Sequence, residues 1–127
     1  KIHLFIMNTD GTGIKRLTFA GRYNSSPSWS PDGKTIAFAG QDKGHFDIFT
    51  IGVNGRNIKR LTSARKRNGK PSNNESPSFS PDGNHIVFTS DRTGRNQIYV
   101  MDSKGRNERR ITVDRFNYEK PKWSPRL

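Results

Sequence analysis

The sequence predicts an all-β fold: a β-propeller fragment of four-stranded antiparallel blades. Three observations predict it. A 36-residue unit occurs twice without a gap, at 27–62 and 77–112, with 15 identities. One run in each unit is apolar at nearly every position: LFIM, IFTI and IYVM. Such a run suits a strand covered on both faces. Turn signals recur at fixed offsets, and no stretch carries a helical period. Four-stranded units of about 40–50 residues, each packed between two copies, describe propeller blades.

The elements follow in chain order. Residues 1–20 read as the outer strands of a partial blade, with a third strand at 4–7 and a fourth ending in Arg16-Leu17-Thr18. Residues 21–66 read as a full blade. Its first strand is Ser28-Trp29-Ser30, its second 35–39, its third 47–51, and its fourth ends in Arg60-Leu61-Thr62. Residues 67–116 read as a second full blade, with first strand Ser78-Phe79-Ser80 and a basic insertion in the preceding loop. Residues 117–127 read as a lone first strand that closes the ring, because Pro-Lys-Trp-Ser-Pro at 121–125 repeats the start of a unit. The Ser-Pro-Asp-Gly turns at 30–33 and 80–83 place Ser, Pro and Gly where a type I turn wants them. Asp10-Gly11, Asn54-Gly55 and Lys104-Gly105 mark tight hairpins, and 40–46 and 90–96 read as polar loops.

Composition bounds the function. Leu, Ile, Val and Phe total 26 of 127 residues, near the level at which disorder sets in, and the regular repeat removes that reading. No cysteine is present, which excludes disulfides, thiolate zinc sites and a cysteine nucleophile. The net charge of +12 admits phosphate backbones, anionic envelope polymers or an acidic protein alike. Arg65, Lys66, Arg67 and Lys70 cluster in the insertion without aromatics to stack on bases, so no nucleic-acid partner is expected. Asp32 and Asp82 are expected to cap their own turns, and Trp29, Phe79 and Trp123 to pack between blades. His3, His45 and His85 have no metal-ligand spacing. No metal, cofactor or catalytic group is expected.

The unit P-x-W-S-P-D-G…I-x-F…I-Y-x-M…G…R-R-L-T resembles the WD40-like PD40 propeller repeat over nearly the whole chain. The closing Lys122-Trp123-Ser124-Pro125-Arg126-Leu127 is similar to the end of the TolB-like family, six-bladed propellers of the periplasmic Tol–Pal system. That resemblance implies a non-enzymatic protein–protein interaction module that docks Pal, the peptidoglycan-associated lipoprotein, with other Tol proteins as further partners. It implies a periplasmic location, peripheral to the membrane, and a role in outer-membrane integrity and cell division. It also implies further blades and an α/β domain upstream, so the chain reads as the C-terminal portion of a longer propeller. Two alternatives stand beside it: the gating propeller of a prolyl-oligopeptidase-like serine peptidase, and a basic propeller that binds an envelope polymer or nucleic acid.

On such propellers the loops before each first strand share the face that receives Pal. The candidates carried over by position are Tyr23, Asn24, Ser25 and Ser26, then Asn73, Asn74, Glu75 and Ser76, then Asn117, Tyr118, Glu119 and Lys120. Short polar side chains with a few aromatics suit a hydrogen-bonded protein interface. Ordinary solvated turns are the competing reading.

Overall fold

The computed structural model describes residues 1–114 and 116–124. Two four-stranded antiparallel sheets and one two-stranded ribbon follow each other along the chain. The ribbon pairs β1 (Phe5–Ile6) with β2 (Lys15–Arg16). Blade one holds β3 (Tyr23–Trp29), β4 (Thr35–Asp42), β5 (His45–Gly52) and β6 (Lys59–Arg60), in that spatial order. Blade two holds β7 (Asn74–Phe79), β8 (His85–Ser90), β9 (Gln97–Asp102) and β10 (Arg109–Arg110), with β7 at the opposite edge from β10.

The turns form as their residues dictate. Ser30 Oγ donates to Asp32 Oδ1 at 2.6 Å, and Lys34 N donates to the same oxygen at 3.0 Å. Ser80 and Asp82 repeat the 2.6 Å bond, and Asn84 N donates to Asp82 Oδ1 at 2.9 Å. These donors hold the Asp32 carboxyl below the ordinary aspartate pKa. Each aspartate thus stiffens its own turn.

Two sequence expectations are corrected. The first strands are longer than three residues, because β3 and β7 begin at Tyr23 and Asn74. A β-bulge between Ser25 and Ser28, and between Glu75 and Ser78, lets each strand run through its proline. The polar loop expected at 40–46 is mostly strand, since Lys43 and Gly44 adopt φ of 53° and 86° and close a two-residue hairpin. In the segment expected to close the ring, 117–127, the described residues 117–124 pair in no sheet. In both full blades the first strand pairs with the second strand of its own blade, and no such partner follows among the described residues. Lys120 nevertheless takes φ of 47°, as Ser26 and Ser76 take 55°, so the segment keeps the local bend of a first strand. Pro125, Arg126 and Leu127 lie outside the described residues.

The apolar core sits between blades. Ala37 and Ile48 of blade one pack against Phe79, Ile86, Phe88, Tyr99 and Met101 of blade two. Leu4 and Leu17 of the ribbon pack against Ile36, Phe38 and Ile51. Each third strand is therefore covered on two sides where neighbours exist, which explains its unbroken apolar run. In the ribbon, Phe5 and Met7 are 61% and 60% exposed, whereas their repeat counterparts Tyr99 and Met101 are 7% and 1% exposed. Trp29 is exposed for the same reason: the ribbon in front of it has no first or second strand to cover it. Phe79 is buried as expected, and Trp123 donates its Nε1 proton to Ser78 O at 2.9 Å.

A polar node stands at each joint. Thr62 Oγ1 accepts from Ile48 N at 2.9 Å and donates to Asp47 Oδ1 at 2.7 Å. Asn74, from the next blade, donates to the same Asp47 oxygen at 3.0 Å, and Arg60 pairs with the other. Asp47 is 3% exposed, so it is held by partners rather than by water. His3 and Gln97 occupy the same repeat position in the other joints. His3 Nδ1 lies 3.2 Å from Thr18 Oγ1 and 3.3 Å from Asn24 Nδ2. Gln97 Oε1 accepts from Thr112 Oγ1 at 2.7 Å.

Asp47→Ala is expected to destabilise the fold by about 2–4 kcal/mol, because it strands Thr62, Asn74 and Arg60 without their acceptor. Asp47→Asn keeps one acceptor oxygen and is expected to cost about 1 kcal/mol. Urea unfolding of the intact protein measures both. Equal midpoints for Asp47→Ala and the parent sequence would remove the node from the account.

Candidate functional site

The twelve residues marked out in the sequence occupy three copies of one short path: 23–26, 73–76 and 117–120. The structure divides them by position along that path. At the first position, Asn73 Oδ1 accepts from Phe46 N at 2.9 Å, and Asn117 Oδ1 accepts from Asn96 N at 3.0 Å. Both amides tie the entry of one repeat to the third strand of the previous one. Tyr23 has no amide to offer there. Ile2 N donates to Arg22 O at 3.0 Å instead, and Tyr23 stays 42% exposed.

At the second position, Asn24 and Asn74 are buried and belong to the joints. Tyr118 takes that position in the third copy, and its hydroxyl donates to Asp114 Oδ2. The bond holds the Asp114 carboxyl below its ordinary pKa and raises that of the phenol.

The third and fourth positions come together. Ser25, Ser26, Glu75, Ser76, Glu119 and Lys120 line one cleft of about 240 Å³, with Asn96 at its side. Half of the predicted residues thus share a single surface, and Asn24, Asn73 and Asn74 serve the scaffold beneath it. Glu75 is half-buried there. Loss of hydration raises its pKa above the ordinary 4.5, and the charges of Asp91 and then Glu119 add to the rise.

Sequence reasoning missed Asp91, which receives Asn73 N at 2.7 Å and Asn73 Nδ2 at 3.3 Å. It also missed Arg92, which reaches Asn74 Oδ1 at 3.2 Å. Neither residue recurs at its repeat position in blade one, so the repeat pattern carried no signal for them. The basic insertion closes on itself: Lys66 N donates to Lys70 O at 2.8 Å, and Lys66 Nζ lies 3.5 Å from Asp91. Among the described residues, no group of three or more His, Cys, Asp or Glu is placed to hold a metal ion.

Comparison with known proteins adds the family. A protein-family model described as PD40, TolB beta propeller domain, matches residues 24–127. The Tol-Pal system protein TolB of Zymomonas mobilis subsp. mobilis is 46% identical over 57 residues, 41% of this chain and 12% of that protein. A solved structure described as TolB from Agrobacterium tumefaciens superposes with a TM-score of 0.86 at 29% identity, over 97% of this chain and 42% of that one. Dipeptidyl-peptidase 5 of Porphyromonas endodontalis is 41% identical over 51 residues, 40% of this chain and 7% of that protein. The matched stretch is less than half the length of each relative.

Glu75 gives a pH signature. Its pKa is raised by folding, so its contribution is fully favourable below the ordinary value of 4.5 and is lost as pH rises through the folded value. Glu75→Gln is therefore expected to raise the melting temperature at neutral pH, with the gain vanishing below pH 4.5. Thermal unfolding across that range measures it. A gain that persists unchanged in acid would show that the carboxylate charge is not its cause.

Proposed function

The chain belongs to the PD40 family of TolB β-propeller domains, and from that premise we propose that it is a non-enzymatic interaction module of the Tol–Pal cell-envelope system. It works in the periplasm and docks the peptidoglycan-associated lipoprotein, supporting outer-membrane integrity and cell division. The docking surface is the cleft between the entries of successive first strands. The observation that carries this reading is the gathering of Ser25, Ser26, Glu75, Ser76, Glu119 and Lys120 around one cleft in a chain of this family.

The chemistry of that cleft suits a protein partner. The hydroxyls of Ser25, Ser26 and Ser76 and the carboxylate of Glu75 are presented by β3 and β7, whose backbones are already fixed, so little ordering of them is needed on binding. Tyr23, two residues before Ser25 on β3, adds an exposed aromatic, a residue type that often concentrates interface energy. Asn24, Asn73 and Asn74 act one layer below, by holding the strands at their spacing.

A second reading has an observation of its own. The match to Dipeptidyl-peptidase 5 favours a propeller that accompanies a peptidase. Such a propeller contributes access rather than chemistry, and the intact protein would then carry a Gly-x-Ser-x-Gly nucleophile elbow elsewhere.

Calorimetric titration of the intact protein with the soluble domain of its cognate Pal tests the proposal. One-to-one binding is expected. Tyr23→Ala and Lys120→Ala are each expected to weaken it about tenfold, with unfolding midpoints unchanged. Lys15→Ala on the outer strand β2 is expected to leave it unaltered. No saturable binding by a folded protein would overturn the assignment and bring the peptidase reading forward.

A further inference from the structure

The two full blades align residue for residue, and at one place the same cradle is filled in blade two and open in blade one. In blade two the filler is Arg92. Its guanidinium carbon lies 4.1 Å from the centre of the Tyr99 ring and 5.9 Å from that of Phe88. Its Nε donates to Ser90 Oγ at 2.9 Å, and its Nη2 donates to Asn74 Oδ1 at 3.2 Å and to Glu108 Oε1 at 3.3 Å. Ring faces, an amide oxygen and a carboxylate together surround one planar cation.

The counterparts in blade one stand fifty positions earlier in the sequence. Phe38 and Phe49 stack with centroids 5.6 Å apart at 17°, close to the 5.9 Å and 27° of Phe88 and Tyr99. Asn24 stands where Asn74 stands. The arginine is missing: its position carries Asp42, that of Ser90 carries Gly40, and that of Glu108 carries Ile58. Between them lies an open cavity of about 190 Å³, lined by Phe38, Phe49, Asn24, Gly40 and Ile58. That is room for several waters, hence for a planar three-nitrogen group.

We infer that this cavity is a binding slot for a guanidinium group from outside the chain, an arginine side chain of a protein partner. The cradle that holds a resident guanidinium in blade two is retained in blade one as to its rings and its asparagine. Gly40 shapes the slot further. A Cβ at that position would come within 3.0 Å of the Phe49 ring, so the glycine lets the ring stand close to the strand. Replacing Glu108 by Ile58 exchanges an ion pair for an apolar wall, which leaves stacking and the amide as the recognition. A flat slot between a ring pair and an amide favours guanidinium over the compact, strongly hydrated lysine ammonium. The slot is separate from the cleft assigned to Pal, and its occupancy does not depend on that assignment.

The test uses the intact protein, with Nα-acetyl-arginine amide as the probe and Nα-acetyl-lysine amide as its control. Nuclear magnetic resonance titration is expected to move the signals of Phe38, Gly40 and Phe49 with the arginine probe, with a dissociation constant on the order of 10 mM. The lysine probe is expected to leave them in place at the same concentrations. Asp42→Arg places an arginine at the repeat position of Arg92 and is expected to abolish the shifts and raise the melting temperature. Ile58→Glu restores the carboxylate of blade two and is expected to tighten the arginine probe about threefold. It is read independently should Asp42→Arg misfold. Absence of shifts at these residues, equal shifts with both probes, or undiminished binding by a folded Asp42→Arg protein would each overturn the inference.

Discussion

The threonine two residues after each outer strand is the pivot of the structure. Thr62 has one hydroxyl and uses it in both senses, accepting from the backbone of β5 and donating to Asp47. That arrangement bonds the third and fourth strands side chain to backbone, and it aims Asp47 at the asparagine of the next blade. A buried carboxylate without such partners would cost far more than it returns. With them, among the described residues, no fully buried side-chain nitrogen or oxygen is left without a hydrogen bond. Sheet packing supplies the bulk of the burial, but it is nondirectional. The threonine node fixes which register of one blade meets which register of the next.

Much of this was legible, and what was not has a physical reason. The Arg-Leu-Thr and Arg-Ile-Thr endings were visible as a motif, and so were the Ser-Pro-Asp-Gly turns. The third member of the node was hidden, because His3, Asp47 and Gln97 look unrelated. What they share is an acceptor atom at one height, and a sequence comparison scores side-chain type. His3 offers a neutral ring nitrogen; loss of hydration, then Arg16 and other positive charge, hold its pKa below the ordinary 6.5. The first strands were undercounted because Ser-Ser-Pro-Ser and Glu-Ser-Pro-Ser carry loop composition. They stay in the sheet because the bulge takes up a left-handed residue just before each proline. Of the candidate site, the path was legible and the division of labour along it was not. Asparagine serves equally well as a solvated contact and as a buried cross-link.

Charge is distributed by layer rather than spread evenly. The outer strands are Lys15–Arg16, Lys59–Arg60 and Arg109–Arg110, all exposed. Short cationic edges of this kind resist pairing with other sheets. The carboxylates of Glu75, Asp91 and Glu119 gather instead near the entries of the first strands, where the charges of Asp91 and Glu119 add to the rise that burial gives the Glu75 pKa. A chain of net charge +12 therefore presents an acidic recess inside a basic rim. The rim acts at long range on any anionic surface. The recess acts only at contact, where hydroxyls and Lys120 sit beside the acids.

The joints also settle what the chain can tolerate in length. The threonine and asparagine of the first joint, Thr18 and Asn24, are six residues apart, and those of the second, Thr62 and Asn74, are twelve apart. The same joint chemistry closes over both spans, because side chains bridge it and the intervening backbone only has to arrive. The longer span folds back through its own bonds, with Ser72 N and Ser72 Oγ both donating to Ala64 O. Blade pitch is thereby uncoupled from linker length. Insertions at this point are geometrically silent for the rest of the array, which makes the joint loop the part of the molecule where new surface can be acquired without renegotiating the fold.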